Sequence, residues 1–292
     1  MHKNEAKIDN ITVQNLIFSQ FPNWKTETIK QISFSGTDNI VFKLGKDKCI
    51  RLPRTLQAAV QLKKEQEWLP KLRPNLCLKI PKLLAVGNAT DTYPYTWSIH
   101  DWIEGQDAYE KEPENLDEIA KKLASFLNSL QNICTKSAPT AKRGLSLKTQ
   151  NDAVMKAISN LTELHDPKTL ESLWKNFLQT PEWNKSAVWV HADLLPSNLI
   201  IKDNKLHAVI DFGLSGVGDP ACDLIPAWGL FDKPSRNTFK KNLNVCKDTW
   251  NRGKGWAFSI ALIIIPYYHR SNPKLASIAK HIIQQILEEL EN

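Results

Sequence analysis

The chain has 292 residues, 42% hydrophobic and 24% charged, with a formal net charge of +7. That is the make-up of a globular enzyme large enough for two cores, and it excludes a fibrous or disordered chain. Five cysteines stand singly, with no CxxC pair, which argues against a disulfide framework or zinc site and for a reducing, cytoplasmic setting. The opening MHKNEAKIDN lacks an apolar signal core, and the apolar run over 257–265 is too short for a membrane span. Lysines are spread along the chain without dense basic, aromatic-interleaved clusters, so neither nucleic acid nor membrane is an expected partner. No repeat of solenoid type recurs.

In chain order, Ile11, Val13, Leu16, Ile17 and Phe21 recur at helical spacing and predict a helix over 10–22. Residues 29–34 and 40–44 read as strands around Ser35-Gly36-Thr37-Asp38-Asn39, and Cys49-Ile50-Arg51-Leu52 as a third strand stopped by Pro53. A helix follows over 56–72, with Ala58, Leu62, Leu69 and Leu72 on one face. Glu65 shares that apolar face, where a carboxylate needs a partner, and Arg51 is the obvious cation. Residues 82–87 and 96–103 read as two more strands, closing a five-stranded sheet.

The composition then turns acidic. Residues 101–118 hold Asp101, Glu104, Asp107, Glu110, Glu112, Glu114, Asp117 and Glu118 against a single lysine, Lys111. The block reads as a solvated linker, with Asp117 and Glu118 at the positive end of a helix, or as an attractive rim for a cationic ligand. Helices are expected over 116–133, 149–165 and 167–179.

The most informative stretch is 188–224, VWVHADLLPSNLIIKDNKLHAVIDFGLSGVGDPACDL. A strand over 188–190 leads into His191-x-Asp193-x-x-x-x-Asn198, and strands over 199–201 and 206–210 flank the polar turn Lys202-Asp203-Asn204-Lys205. A hairpin of that size brings Asp193, Asn198 and Asp211 to one side. Phosphoryl transfer needs such a group, with one carboxylate for the attacking hydroxyl and oxygens to hold Mg²⁺ on the phosphates. Asp219 and Asp223 read as further metal ligands or as structural groups, Asp219 fixing its loop and Asp223 bonding backbone near a helix over 224–231. The C-terminal remainder predicts a buried helix, a break at Ser271-Asn272-Pro273 and an amphipathic terminal helix.

HxDxxxxN followed by Ile210-Asp211-Phe212-Gly213 resembles the catalytic and metal loops of protein-kinase-like enzymes, and the whole stretch resembles the aminoglycoside and macrolide phosphotransferases. The resemblance implies an α+β, bilobal protein-kinase-like fold, with a small antiparallel-sheet lobe over 1–103 and a mostly helical lobe over 104–292. It implies Asp193 as catalytic base, His191 as a loop-orienting residue, and Asn198 and Asp211 as Mg²⁺ ligands. It also implies that the turn with Ser35 and Thr37 lies over the phosphates of ATP or GTP, and that Arg51, paired with Glu65, touches them. Arg51 stands where the general kinase pattern has a lysine, which leaves Lys43, Lys46 or Lys48 as alternative phosphate contacts. No long activation segment separates Gly213 from Asp223, so the expected acceptor is a small-molecule hydroxyl. An aminoglycoside-type compound comes first, then a macrolide or a choline-like alcohol. A nucleotide-binding pseudoenzyme is the reading from another class, and a monomer is expected.

Overall fold

The computed structural model describes residues 5–32, 38–111, 113–161, 166–268 and 272–291, without the side chains of Tyr267 and Glu291. It divides into two compact units, Met1–Gly105 with Ala208–Gly213, and Gln106–His207 with Leu214–Asn292.

The first unit holds helix α1 (Asn10–Gln20), strands β1 (Ile29–Gln31), β2 (Asn39–Leu44) and β3 (Lys48–Pro53), helix α2 (Leu56–Leu72), and strands β4 (Leu83–Gly87) and β5 (Trp97–Asp101). The strands form one antiparallel sheet in the order β1-β2-β3-β5-β4. Side-chain alternation sends Ile40, Phe42, Leu44, Ile50, Leu52, Trp97 and Ile99 into a core with Val13, Leu16 and Ile17 of α1. Fully burying each such residue stabilises the fold by about 1.5–3 kcal/mol. The opposite face carries Arg51, in register with Val41 and Ser98. Helix α2 starts at an N-cap, the Thr55 hydroxyl accepting from Ala58 N–H, and buries Ala58, Leu62, Glu65, Leu69 and Leu72.

The second unit starts with strand β6 (Gln106–Asp107), then helices α3 (Leu116–Gln131), α4 (Asn151–Ser159) and α5 (Pro167–Leu178). Strands β7 (Val188–Val190), β8 (Leu199–Lys202), β9 (Lys205–Val209) and β10 (Gly216–Gly218) follow, with β9 running on into the first unit at Ala208. Helices α6 (Pro226–Gly229), α7 (Lys233–Leu243), α8 (Lys247–Tyr268) and α9 (Pro273–Glu291) complete it. Trp256, Ala257, Phe258, Ala261 and Leu262 of α8 are buried, as are Ala276, Ala279, Ile282, Ile283 and Ile286 of α9. No helix among the described residues is long and apolar enough to cross a membrane.

Several elements differ from expectation. The helix expected over 224–231 is a 3-10 turn, Pro220–Leu224, followed by the single turn of α6, because Pro226 restarts the backbone. The helix expected over 149–165 is α4 alone, entered through a 3-10 turn at Leu147–Gln150; residues 162–165 lie outside the described residues. Helix α7 and strands β6 and β10 were not expected at all.

Candidate active site

In the first unit the site is built around Arg51. Its Nη1 donates to Glu65 Oε2 at 2.7 Å and its Nη2 to Asp211 Oδ1 at 3.2 Å. The other oxygen of Glu65 accepts the Phe212 N–H at 2.8 Å. One carboxylate on α2 thus ties strand β3 to the Asp211-Phe212 backbone, and Asp211 is held with φ +67°, a left-handed conformation that costs aspartate less than most residues with a Cβ. Burial opposes charge on both partners and pushes the Glu65 carboxyl up. It works against Arg51 as well, but Glu65 and Asp211 more than offset it and raise the guanidinium further, so Arg51 keeps its proton. The neighbouring Cys49 thiol is pushed up to about 11 by burial. His100 is lowered to about 3, first by burial and then by Arg51, so its ring is neutral. Two of the three rival lysines have other partners: Lys43 faces Glu104 at 3.6 Å and the Trp102 ring, and Lys48 pairs with Glu27 and Asp47. Ser35 and Thr37 lie outside the described residues.

In the second unit the loop after β7 carries His191, Asp193 and Asn198. His191 is fully buried, and its Nδ1 accepts the Asp193 N–H at 3.3 Å. Asn198 Nδ2 donates to the Asp193 carbonyl at 2.8 Å and to Asp193 Oδ2 at 3.3 Å. Ala192 sits at φ +66° with no exposure, another strained position. Asp223 holds that strain in place. Its two oxygens accept the His191 N–H at 2.8 Å and the Ala192 N–H at 2.7 Å. Burial pushes the Asp223 carboxyl up to about 7, against the pull of those two donors. Sequence reasoning assigned Asp223 to backbone near the following helix; it serves the loop that carries Asp193 instead. Asp219 caps the 3-10 turn through Ala221 N–H and pairs with Arg252 at 2.6 Å. Both carboxylates are therefore occupied by the protein itself.

Arg143 was missed. From a 3-10 turn at Lys142–Gly144 its Nη1 donates to the Ala192 carbonyl at 3.1 Å and to Asp193 Oδ1. The sequence offers no periodic signal for that contact.

Asn198 and Asp211 can be tested as donors for Mg²⁺. The Asn198 amide nitrogen is committed to Asp193, which leaves its oxygen as the donor, and Asp211 has a second oxygen besides the one on Arg51. Hard oxygens of this kind fit Mg²⁺. No group of three His, Cys, Asp or Glu side chains placed to hold a metal occurs among the described residues.

Much of the acidic block is also engaged. Asp101 accepts the Lys82 N–H, Asp107 accepts the Tyr109 and Glu110 N–H groups, and Glu104 faces Lys43. Asp117 and Glu118 both pair with Lys121. Glu110 and Glu114 are exposed.

Residues 28–256 match the model of the phosphotransferase enzyme family (APH). The chain belongs to that family. No curated protein matches it in sequence. Among solved structures, the GDP complex of wild-type aminoglycoside 2'-phosphotransferase-IIIa is 17% identical, with a TM-score of 0.78 over 97% of this chain and 100% of that one. The gentamicin complex of APH(2")-IIa is 20% identical, with a TM-score of 0.65 over 96% and 97%. Macrolide 2'-phosphotransferase MphH from Brachybacterium faecium is 15% identical, with a TM-score of 0.65 over 93% and 97%. At these identities the likeness is one of fold, and the fold is the bilobal, protein-kinase-like α+β class. In this member of the phosphotransferase family, the arginine on β3 meets the α2 glutamate.

Proposed function

We propose that this chain transfers the γ-phosphoryl group of ATP or GTP to a hydroxyl of a small molecule, with an aminoglycoside-type compound as the first candidate acceptor. The observation that carries the reading is the fork of Arg51 between Glu65 and Asp211, with Glu65 also holding the Phe212 N–H. A permanent cation next to a carboxylate supports this reading, because phosphates and their Mg²⁺ are bound by groups of these two kinds. Arg51 would reach the phosphates with its Nη2 edge, and Ser35 and Thr37 would supply further donors to them. Asn198 and Asp211 would hold Mg²⁺, which when bound neutralises charge on the phosphates. Asp193 would align the acceptor hydroxyl and take its proton, and His191 would orient the loop.

The acceptor class draws support from two sides. Neighbours of the same fold include a gentamicin complex and macrolide phosphotransferases. Glu110 and Glu114 remain as exposed carboxylates able to attract ammonium groups. A macrolide or a choline-like alcohol would need the same chemistry and less of that charge. A cytoplasmic monomer fits the reading. A panel of Mg·ATP and Mg·GTP against aminoglycosides, macrolides and amino alcohols tests it. A phosphorylated aminoglycoside is the expected product, and nucleotide binding without transfer to any acceptor would favour a pseudoenzyme.

A further inference from the structure

Each oxygen of Asp193 has one donor: Arg143 Nη1 on Oδ1, and Asn198 Nδ2 on Oδ2 at 3.3 Å. Turning the carboxylate would break both bonds at once. The segment that brings Arg143 there is built for the purpose. Val217 N–H bonds the Pro139 carbonyl at 2.8 Å, Ala141 N–H the Val217 carbonyl at 3.0 Å, and Asp219 N–H the Gly144 carbonyl at 2.8 Å. These bonds zip residues 139–144 onto β10 and its next residue. The approach is so close that only glycine fits: a Cβ on Gly216 would stand 2.5 Å from the Pro139 oxygen, and one on Gly218 2.5 Å from Gly144 Cα. Asp219, at the end of the zipper, is fixed in turn by the buried Arg252. The Arg143 side chain is 30% exposed, so it could leave Asp193 for water; three backbone bonds and two glycines hold its backbone where it does not.

We propose that Arg143 is a positioning residue for phosphoryl transfer: it fixes Asp193 Oδ1 and so presents Oδ2 to the acceptor hydroxyl in one orientation. This inference rests on the phosphotransferase reading above. As the acceptor oxygen bonds to phosphorus and the bond to the nucleoside diphosphate breaks, the hydroxyl proton passes to Asp193 Oδ2. Arg143 touches neither substrate; it acts through the carboxylate.

The test compares wild type, Arg143→Lys and Arg143→Ala with the acceptor and nucleotide that the panel identifies. A misplacement of about 1 Å costs on the order of 100-fold, which is the expected fall in kcat for Arg143→Ala. Nucleotide Kd and acceptor KM should stay near wild type, and Arg143→Lys should fall between. Added guanidinium chloride, kept below denaturing concentration, should restore much of the lost rate to Arg143→Ala and none to Asp193→Asn. Melting curves run in parallel separate this from unfolding. Wild-type kcat in Arg143→Ala, or a loss that follows the melting temperature and ignores guanidinium, overturns the positioning role while leaving the phosphotransferase reading intact. A wild type that transfers phosphate to nothing overturns both.

Discussion

Arg51 pairs with Glu65 and Arg143 with Asp193, one pair in each unit, at different depths. The Arg51 side chain is 12% exposed and Glu65 beside it 1%, whereas Arg143 is 30% and Asp193 18% exposed. The buried pair cannot lose a member without stranding a charge, so geometry and stability are coupled there. The outer pair lies nearer water, where an ion pair contributes only about 0–1 kcal/mol to stability, which fits the orienting role proposed for it. The same guanidinium–carboxylate chemistry thus holds two carboxylates with very different structural consequences.

The largest effect should come from Arg51→Ala. It leaves Glu65 buried and unpaired, which costs about 3–5 kcal/mol in chemical denaturation. Nucleotide titration should show weakened binding, partly recovered in Arg51→Lys, with Glu65→Gln milder than either. Full nucleotide affinity with only a lowered melting temperature would make Arg51 a clamp between strand and helix and nothing more.

Asp223→Asn should come next. An amide nitrogen cannot accept one of the two N–H bonds, and a buried donor left alone costs about 1–3 kcal/mol. The sign of its pH dependence is set by burial. Asp223 titrates near 7 folded and near the ordinary carboxylate value of about 4 unfolded, so the native state holds the extra proton between those values. Its contribution to stability is complete below about pH 4 and is lost as pH rises toward 7. The difference in unfolding free energy between wild type and Asp223→Asn should therefore vary with pH across that window; a difference constant with pH would mean that Asp223 is ionised throughout.

Smaller still, Arg143→Ala should change unfolding free energy by no more than about 1 kcal/mol, which sharpens the contrast with Arg51. Ala192→Gly should stabilise by roughly 1 kcal/mol, since glycine adopts the left-handed conformation without the Cβ penalty. Destabilisation by that change would show that the packing of the Ala192 methyl outweighs the strain.

The two arginines also mark what the sequence makes legible. Arg51 and Glu65 could be paired from periodicity: one alternates away from Ile50 and Leu52 on a strand, and the other falls on the buried face of α2. The turn at Asp203-Asn204 was readable because both residues tolerate the positive φ that a two-residue hairpin needs. Arg143 lies 50 residues from Asp193, in a segment with neither helical nor strand spacing, so nothing local points to the contact. Asp223 had a plausible local partner in the following helix and a better distant one in the His191 backbone, and proximity in sequence favoured the wrong one. Helix α7 escaped because its inward face includes Arg236, whose guanidinium bonds the Ala227 carbonyl at 2.6 Å; a buried arginine looks like a surface residue in a hydrophobicity pattern. Strand β10 is two glycines around a valine, selected for close approach rather than for strand propensity.

Asp193 is proposed to act on the acceptor in the transition state. The most direct test of that role is Asp193→Asn in steady-state transfer from Mg·ATP or Mg·GTP, with nucleotide Kd measured on the same preparation. The expected result is a fall in kcat of roughly 1,000-fold or more with nucleotide affinity unchanged, because the interaction is made mainly in the transition state. A variant that turns over at the wild-type rate, or one whose nucleotide affinity collapses together with its rate, would contradict it.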